Sequence, residues 1–310
     1  MKELIKISSF PIKTTLSILL QDKTTKKNII WATGSYASLG NMYRDTMQIT
    51  EEALLGLDSI LLQPRILKEQ SEQQERTRKK AEVFTPSWIC NKMNNYCDED
   101  WFGRKEVFNV ETGNSWVTVE GIISFPRNRT WKQYVDSRRL EITCGEAPFL
   151  VSRYDAATGE FIPIPDRIGV LDRKLRIVCE NANSEDEWFE WAVRAFQSVY
   201  GYEYQGDNLL IGRMNLLMTF VEYYEERFHG VPDTATLNKV ANIISWNLWQ
   251  MDGLSGTVPL GAPEEKHEQL SLFTMFDEEP IAKETTPLCK IYDWRRDNSQ
   301  TFESLKERFV

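Results

Sequence analysis

The stretch that most constrains this chain is Arg139-Leu140-Glu141-Ile142-Thr143-Cys144-Gly145-Glu146-Ala147-Pro148-Phe149-Leu150, an apolar strand end that runs into a tight, glycine-centred turn. In an open α/β sheet such a turn is where a ligand sits, because the carboxyl end of a strand opens into a crevice and glycine lets the backbone approach. The sequence after it keeps to the same plan. Glu185 to Tyr200 is helical, with Trp188, Phe189, Trp191, Ala192, Ala195, Phe196 and Val199 on a broad apolar face that core packing explains most simply. A second strand closes at Glu203, Asp207 to Phe228 and Pro232 to Ser245 read as helices, and a third strand closes at Asp252. Strand, helix, strand, helix and strand in that order predict an α/β, doubly wound domain with a mainly parallel sheet.

The remainder of the 310 residues divides less sharply. Met1 to about Thr50 reads as a strand-rich leader followed by helix. Thr50 with Glu51 and Glu52 is a cap-like helix start, and Leu54, Leu55, Leu57, Ile60 and Leu61 recur at helical spacing. A polar helix is expected over Ile66 to Lys80, and Pro86 starts another with Ile89, Met93 and Tyr96 on its buried side. Trp101 to Thr130 suggests a hairpin-like insertion. The 58 positions from Gly145 to Glu203 must hold extra structure, with an extended excursion at Thr158 to Pro165 and a mixed segment at Val170 to Val178. Ser255 to Pro280, rich in Gly, Pro and Glu, predicts a flexible loop, and Leu288 to Trp294 one more strand before a terminal helix.

Composition narrows the function classes. No run approaches the eighteen or so apolar residues of a membrane span, and Lys13-Thr14-Thr15 interrupts the first apolar stretch, so a cytoplasmic protein without a signal peptide is expected. Five scattered cysteines without a Cys-x-x-Cys pair, and only two histidines, argue against zinc and for a reducing compartment. A net charge of −9 argues against binding DNA by bulk electrostatics. The exception is local: Arg76, Arg78, Lys79 and Lys80 put four positive charges into five residues. Such a run is either a solvated helix face or a DNA contact.

Four segments fall into a recognisable order: Lys79 to Pro86 with Phe84-Thr85-Pro86, the Cys144-Gly145-Glu146 turn, Tyr200-Gly201-Tyr202-Glu203, and Trp246 to Leu254 with Asp252. Together, over roughly Arg65 to Leu254, they resemble the amino-terminal half of the adenine-specific DNA methyltransferases that serve as modification subunits of restriction–modification systems. The resemblance implies a Rossmann-like S-adenosylmethionine-binding domain over 81–254, with insertions near 101–130 and 152–184. It is preceded by a mixed, helical region over 1–80 and followed by a loop over 255–287 and a strand and helix over 288–310. It further implies that Glu141, Cys144, Gly145 and Glu146 hold the methionine end of the cofactor. Glu203 would accept from the ribose hydroxyls and Asp252 from the adenine amine, with Phe84, Thr85 and Pro86 folded back beside the turn. One departure is that Glu146 and Ala147 stand where the family's loop carries a second glycine, bulk that would narrow the pocket.

A second departure concerns catalysis. Enzymes that methylate an exocyclic amine flip the base and hold it with an Asn or Asp, two prolines and an aromatic. None of the twelve prolines here is adjacent to another, so that motif is missing. The chain is then a cofactor-binding half whose partner, a second methyltransferase or restriction subunit, carries catalysis, a relative that has lost catalysis, or an enzyme with a different base-holding site. In each case double-stranded DNA is the expected partner. Gln269-Leu270-Ser271-Leu272-Phe273 also resembles the peptide with which bacterial proteins dock on the replicative sliding clamp. That segment offers the alternative of an inactive, clamp-associated adaptor, set against an ordinary apolar cover.

Overall fold

The computed structural model describes residues 4–55, 62–68, 85–261 and 286–306. Its centre is a three-stranded parallel sheet in the order β3–β4–β5, made of Arg139–Glu141, Val199–Glu203 and Leu248–Gln250. Register pairs Leu140 with Tyr200 and Tyr202 with Trp249. Two antiparallel hairpins stand outside this sheet, β1–β2 (Asn109–Thr112 and Ser115–Thr118) and β6–β7 (Lys290–Asp293 and Asn298–Thr301). The architecture is mixed α/β.

Eight of the described helices are α1 (Ile12–Leu19), α2 (Glu51–Leu55), α3 (Ser87–Phe102), α4 (Trp131–Val135), α5 (Val170–Asn181), α6 (Glu185–Gln197), α7 (Gly206–Phe228) and α8 (Thr234–Asn247). The amphipathic stripe of α6 buries Trp188, Ala192, Ala195 and Phe196 in one core with Phe220 of α7 and Leu237 and Val240 of α8. That core covers one face of the sheet. On the other face Tyr200, Tyr202, Trp249 and Met251 pack under Cys289, Ile291 and Phe302 from the β6–β7 region. Both faces of β4 are therefore covered, as parallel strands require.

Helix starts follow their capping chemistry. Ser184 accepts from Glu187 N–H, Asp233 from Thr236 N–H, and Thr50 from Ala53 N–H at 3.1 Å, so the cap read at Thr50 is present.

Four expectations are corrected. Residues 4–50 are helical and irregular, not strand-rich: Leu16 and Leu19 belong to α1, and among them only isolated bridges such as Gln21 with Asn28 and Ile30 with Gln48 are extended. Val170 to Val178 is not mixed but lies within α5, which buries Asp172, Arg173 and Lys174 beside Leu171, Leu175 and Val178. The helix read to Tyr200 ends at Gln197, and Val199 already belongs to β4.

In α3 the buried side is the polar one. Asn91, Asn94 and Asp98 are buried while Met93 is 53% and Tyr96 60% exposed. The cause is hydrogen bonding: Asp98 meets Arg173 and Tyr134, and Asn94 donates to the carbonyls of Phe149 and Ile168, both at 3.0 Å. Satisfied polar groups can be buried where unsatisfied ones cannot.

No described helix is long and apolar enough to cross a membrane.

Candidate functional site

The turn after β3 stands at the carboxyl edge of the sheet, where Cys144 N–H donates to Tyr202 O at 2.8 Å and carries the strand pairing one step further. Thr143, Gly145 and Ala147 all have positive φ, at 47°, 53° and 66°. Such strain in residues with a Cβ is held only where the surroundings over-determine it, and it clusters at functional sites. At Gly145 no atom beyond its chain neighbours lies within 4 Å of where a Cβ would stand, so open space faces the turn at its one unstrained position.

Three carboxylates brace the turn. Glu141, 9% exposed, accepts from Phe149 N–H at 3.4 Å and Leu150 N–H at 3.2 Å. Glu203, 7% exposed, accepts from Gly145 N–H at 2.9 Å with one oxygen and from Gln205 N–H at 3.1 Å with the other. Glu146 accepts from Arg65 N–H at 2.7 Å and from the Tyr154 hydroxyl at 2.9 Å. The bulk that replaces a second glycine is thus held among protein donors.

Burial pushes Glu141 well above the ordinary carboxylate range. The Phe149 and Leu150 N–H groups oppose this, and the field of Glu203 adds to it. Glu203 is raised too, first by burial, against the N–H groups of Gln205 and Gly145, with Asp207 adding repulsion.

Cys144 contributes backbone, not chemistry. Its side chain is 1% exposed and packs beneath Gly201, where an added Cβ would come within 3.2 Å of Sγ. Burial and the fields of Glu141 and Glu203 push its thiol pKa well up, the opposite of a nucleophile.

Thr85 and Pro86 stand at the start of α3. Pro86 caps α3, Ser87 N–H donates to Asp155 at 3.0 Å, and Cys90 donates to Thr85 O at 3.6 Å. The Cys90 thiol is raised by burial first and then by the fields of Glu141 and Asp155.

Asp252 lies two residues past β5, and its Oδ1 accepts from Leu254 N–H at 2.8 Å and Ser255 N–H at 3.3 Å, closing its own loop. Its charge still reaches Tyr204, whose hydroxyl is raised by burial first and then by Asp252 and Asp45. Half-buried Tyr204, immediately after Glu203, is a candidate residue at this edge that strand-end reasoning passed over.

Another such residue is Gln250. It accepts from Ile30 N–H at 2.9 Å and donates to Ile30 O at 2.8 Å, clasping an amino-terminal strap against the strand ends. Gly206 makes room for it, since a Cβ there would stand 2.0 Å from Ile30 O. A glycine opening a helix immediately after a strand-end acid was the available signal.

Phe84, the basic residues Arg76, Arg78, Lys79 and Lys80, and the clamp-like Gln269, Leu270, Leu272 and Phe273 lie outside the described residues. A separate cleft of about 740 Å³, lined by Val117, Ile164, Arg176, Tyr223 and Arg227 among others, sits at the far end of α7. At 1.5 Å per residue it is roughly 30 Å from Gly206, and it shares no residue with the turn. No family model, curated protein or solved structure matches the chain.

Proposed function

We propose that the chain binds S-adenosylmethionine at the carboxyl edge of β3–β4–β5 and serves the methylation of the adenine amino group in DNA, with a partner supplying the base-holding residues. The observation that supports this best is the open, left-handed turn at Gly145, tied by its own N–H to the strand-end acid Glu203.

The donor set fits the group. A carboxylate offers about four lone-pair sites, so Glu203, with one N–H on each oxygen, keeps capacity for two ribose hydroxyls. Glu141 and Glu203 set negative charge beside a turn that would face a sulfonium and an ammonium. Tyr204 offers a ring beside Asp252 for the adenine. When bound, the cofactor supplies an electrophilic methyl group. The chain's residues bind and orient it, and Thr85 and Pro86 at the start of α3 close the site beside Glu141.

Holding the target base is not assigned to this chain, because no two of its prolines are adjacent. The adaptor alternative rests on Gln269, Leu270, Leu272 and Phe273, outside the described residues, and gains nothing from this geometry.

Calorimetric titration of the full chain with S-adenosylmethionine tests the reading. Micromolar binding is expected; no heat of binding up to millimolar cofactor would overturn it.

A further inference from the structure

Among the described residues, the sheet has an exposed apolar border on one side only. On the β5 side, Trp249 and Met251 lie under the β6–β7 region and Gln250 holds the Ile30 strap. Beyond β3, no described strand pairs with it. The two apolar residues at this border are exposed, Leu140 at 46% and Ile142 at 64%. Parallel strands are ordinarily covered, and an uncovered edge offers a row of unpaired backbone donors and acceptors. Such a row is completed by another extended backbone.

The rim is charged. Arg138 and Arg296 flank Asp293, and Arg194 and Arg295 flank Asp136, so four guanidiniums surround two carboxylates near the amino end of β3. Arg139 of β3 adds a fifth cation to this rim. In a chain of net charge −9 this is a local excess of positive charge.

We propose that the free edge of β3 receives a strand from a second polypeptide, running parallel to β3, apolar opposite Leu140 and Ile142 and acidic at the end that meets the arginine rim. Adjacent strands are about 4.8 Å apart. A parallel strand in that place therefore ends beside the Cys144–Gly145–Glu146 turn, and the loop that follows it can bring base-holding residues to the open space at Gly145. This last step rests on the proposed function; the docking itself rests on the edge, the exposed pair and the charge.

A second copy of the chain is a poorer occupant. It would set two chains of charge −9 against each other.

The test is photo-crosslinking in the cells the protein comes from. The full chain carries a benzoylphenylalanine at Ile142 and, in a control, at Leu254, which is 97% exposed. The crosslinked peptide is sequenced by mass spectrometry. Expected is a crosslink at position 142, at least ten-fold above that at 254, to a different polypeptide that carries an Asn- or Asp-Pro-Pro-aromatic tetrapeptide. The same crosslink should be lost when Leu140→Asp is added to a chain that still shows its native unfolding midpoint. No crosslink at 142, a crosslink to a second copy, or one only to polypeptides without the tetrapeptide overturns the proposal. Cofactor binding by the isolated chain is read separately, so failure of the cofactor reading and failure of the docking give different results.

Discussion

Replacing Glu203 with Gln separates what this residue does for the fold from what it does for a ligand. The carboxylate is 7% exposed and takes one N–H on each oxygen, from Gly145 and from Gln205. The amide keeps one acceptor and turns an NH₂ toward the other N–H, a buried unsatisfied donor that costs about 1–3 kcal/mol. Working against that loss, the substitution removes a buried charge, and the raised pKa of Glu203 says that burial already disfavours it. The two effects oppose each other. The unfolding midpoint is therefore expected to move by only a few degrees, at about 2–4 °C per kcal/mol for a chain of this size.

Ligand binding has no such compensation. Hydrogen bonds from two ribose hydroxyls to a carboxylate are charge-assisted, and losing the charge costs about 1.5–3 kcal/mol, or about 10- to 150-fold in Kd. The assay is calorimetric titration beside thermal unfolding of the same samples. A Kd within three-fold of the parent would refute the role given to Glu203. So would loss of binding only in step with a collapse of the fold.

Three further outcomes are expected. Gly145→Ala places a methyl where no atom beyond the chain neighbours lies within 4 Å, so the fold should lose only the cost of a left-handed alanine, about 1–2 kcal/mol, while cofactor binding by calorimetry should fall at least ten-fold. Arg173→Ala strands Asp98 in the interior beside Tyr134; urea unfolding should show a loss of about 3–5 kcal/mol, and a loss below 1 kcal/mol would contradict the buried pairing. Asp172 has its pKa raised to about 6, chiefly by burial, from 3.8. Folding therefore takes up a proton between those values, and this contribution to stability should decline by about 2 kcal/mol as pH rises from 4 to 6, a slope that Asp172→Asn should remove from urea titrations.

The legible parts of the chain were those where pattern and burial coincide. Trp188, Ala192, Ala195 and Phe196 mark one face of α6 because that face is apolar throughout, and Glu141, Gly145 and Glu203 stood out because each stands at or just past the carboxyl end of a strand. Where the interior is polar the pattern misleads. In α5, Arg173 and Lys174 are buried because Asp98 pairs with the first, and the carbonyls of Val135 and Ser137 and the Ser198 hydroxyl accept from the second. These partners are 24 to 75 residues away along the chain. The orientation of α3 failed for the same reason, since Asn94 and Asp98 outrank Met93 and Tyr96 only once their distant partners are known. The Ile30 strap on Gln250 spans 220 residues, and Gly206, which makes room for it, is its one local signal.

On the proposed function, Glu141 and Glu203 would make cofactor binding a proton-linked event. Burial raises both carboxyls in the free protein, and each also stands in the other's field or in that of a neighbouring acid. A ligand that brings a sulfonium and an ammonium to the turn favours their ionised forms and lowers both pKa values. Between the lowered and the raised values binding must release protons, so affinity should rise with pH through that window and level off above it. Calorimetry in two buffers of different ionisation heat measures the number released. The apparent enthalpy should differ between buffers in the sense of release, and the difference should shrink in Glu203→Gln, which has one carboxyl fewer to ionise. Equal enthalpies in both buffers, or proton uptake on binding, would place the cation away from these carboxylates and remove the ligand from the Gly145 turn.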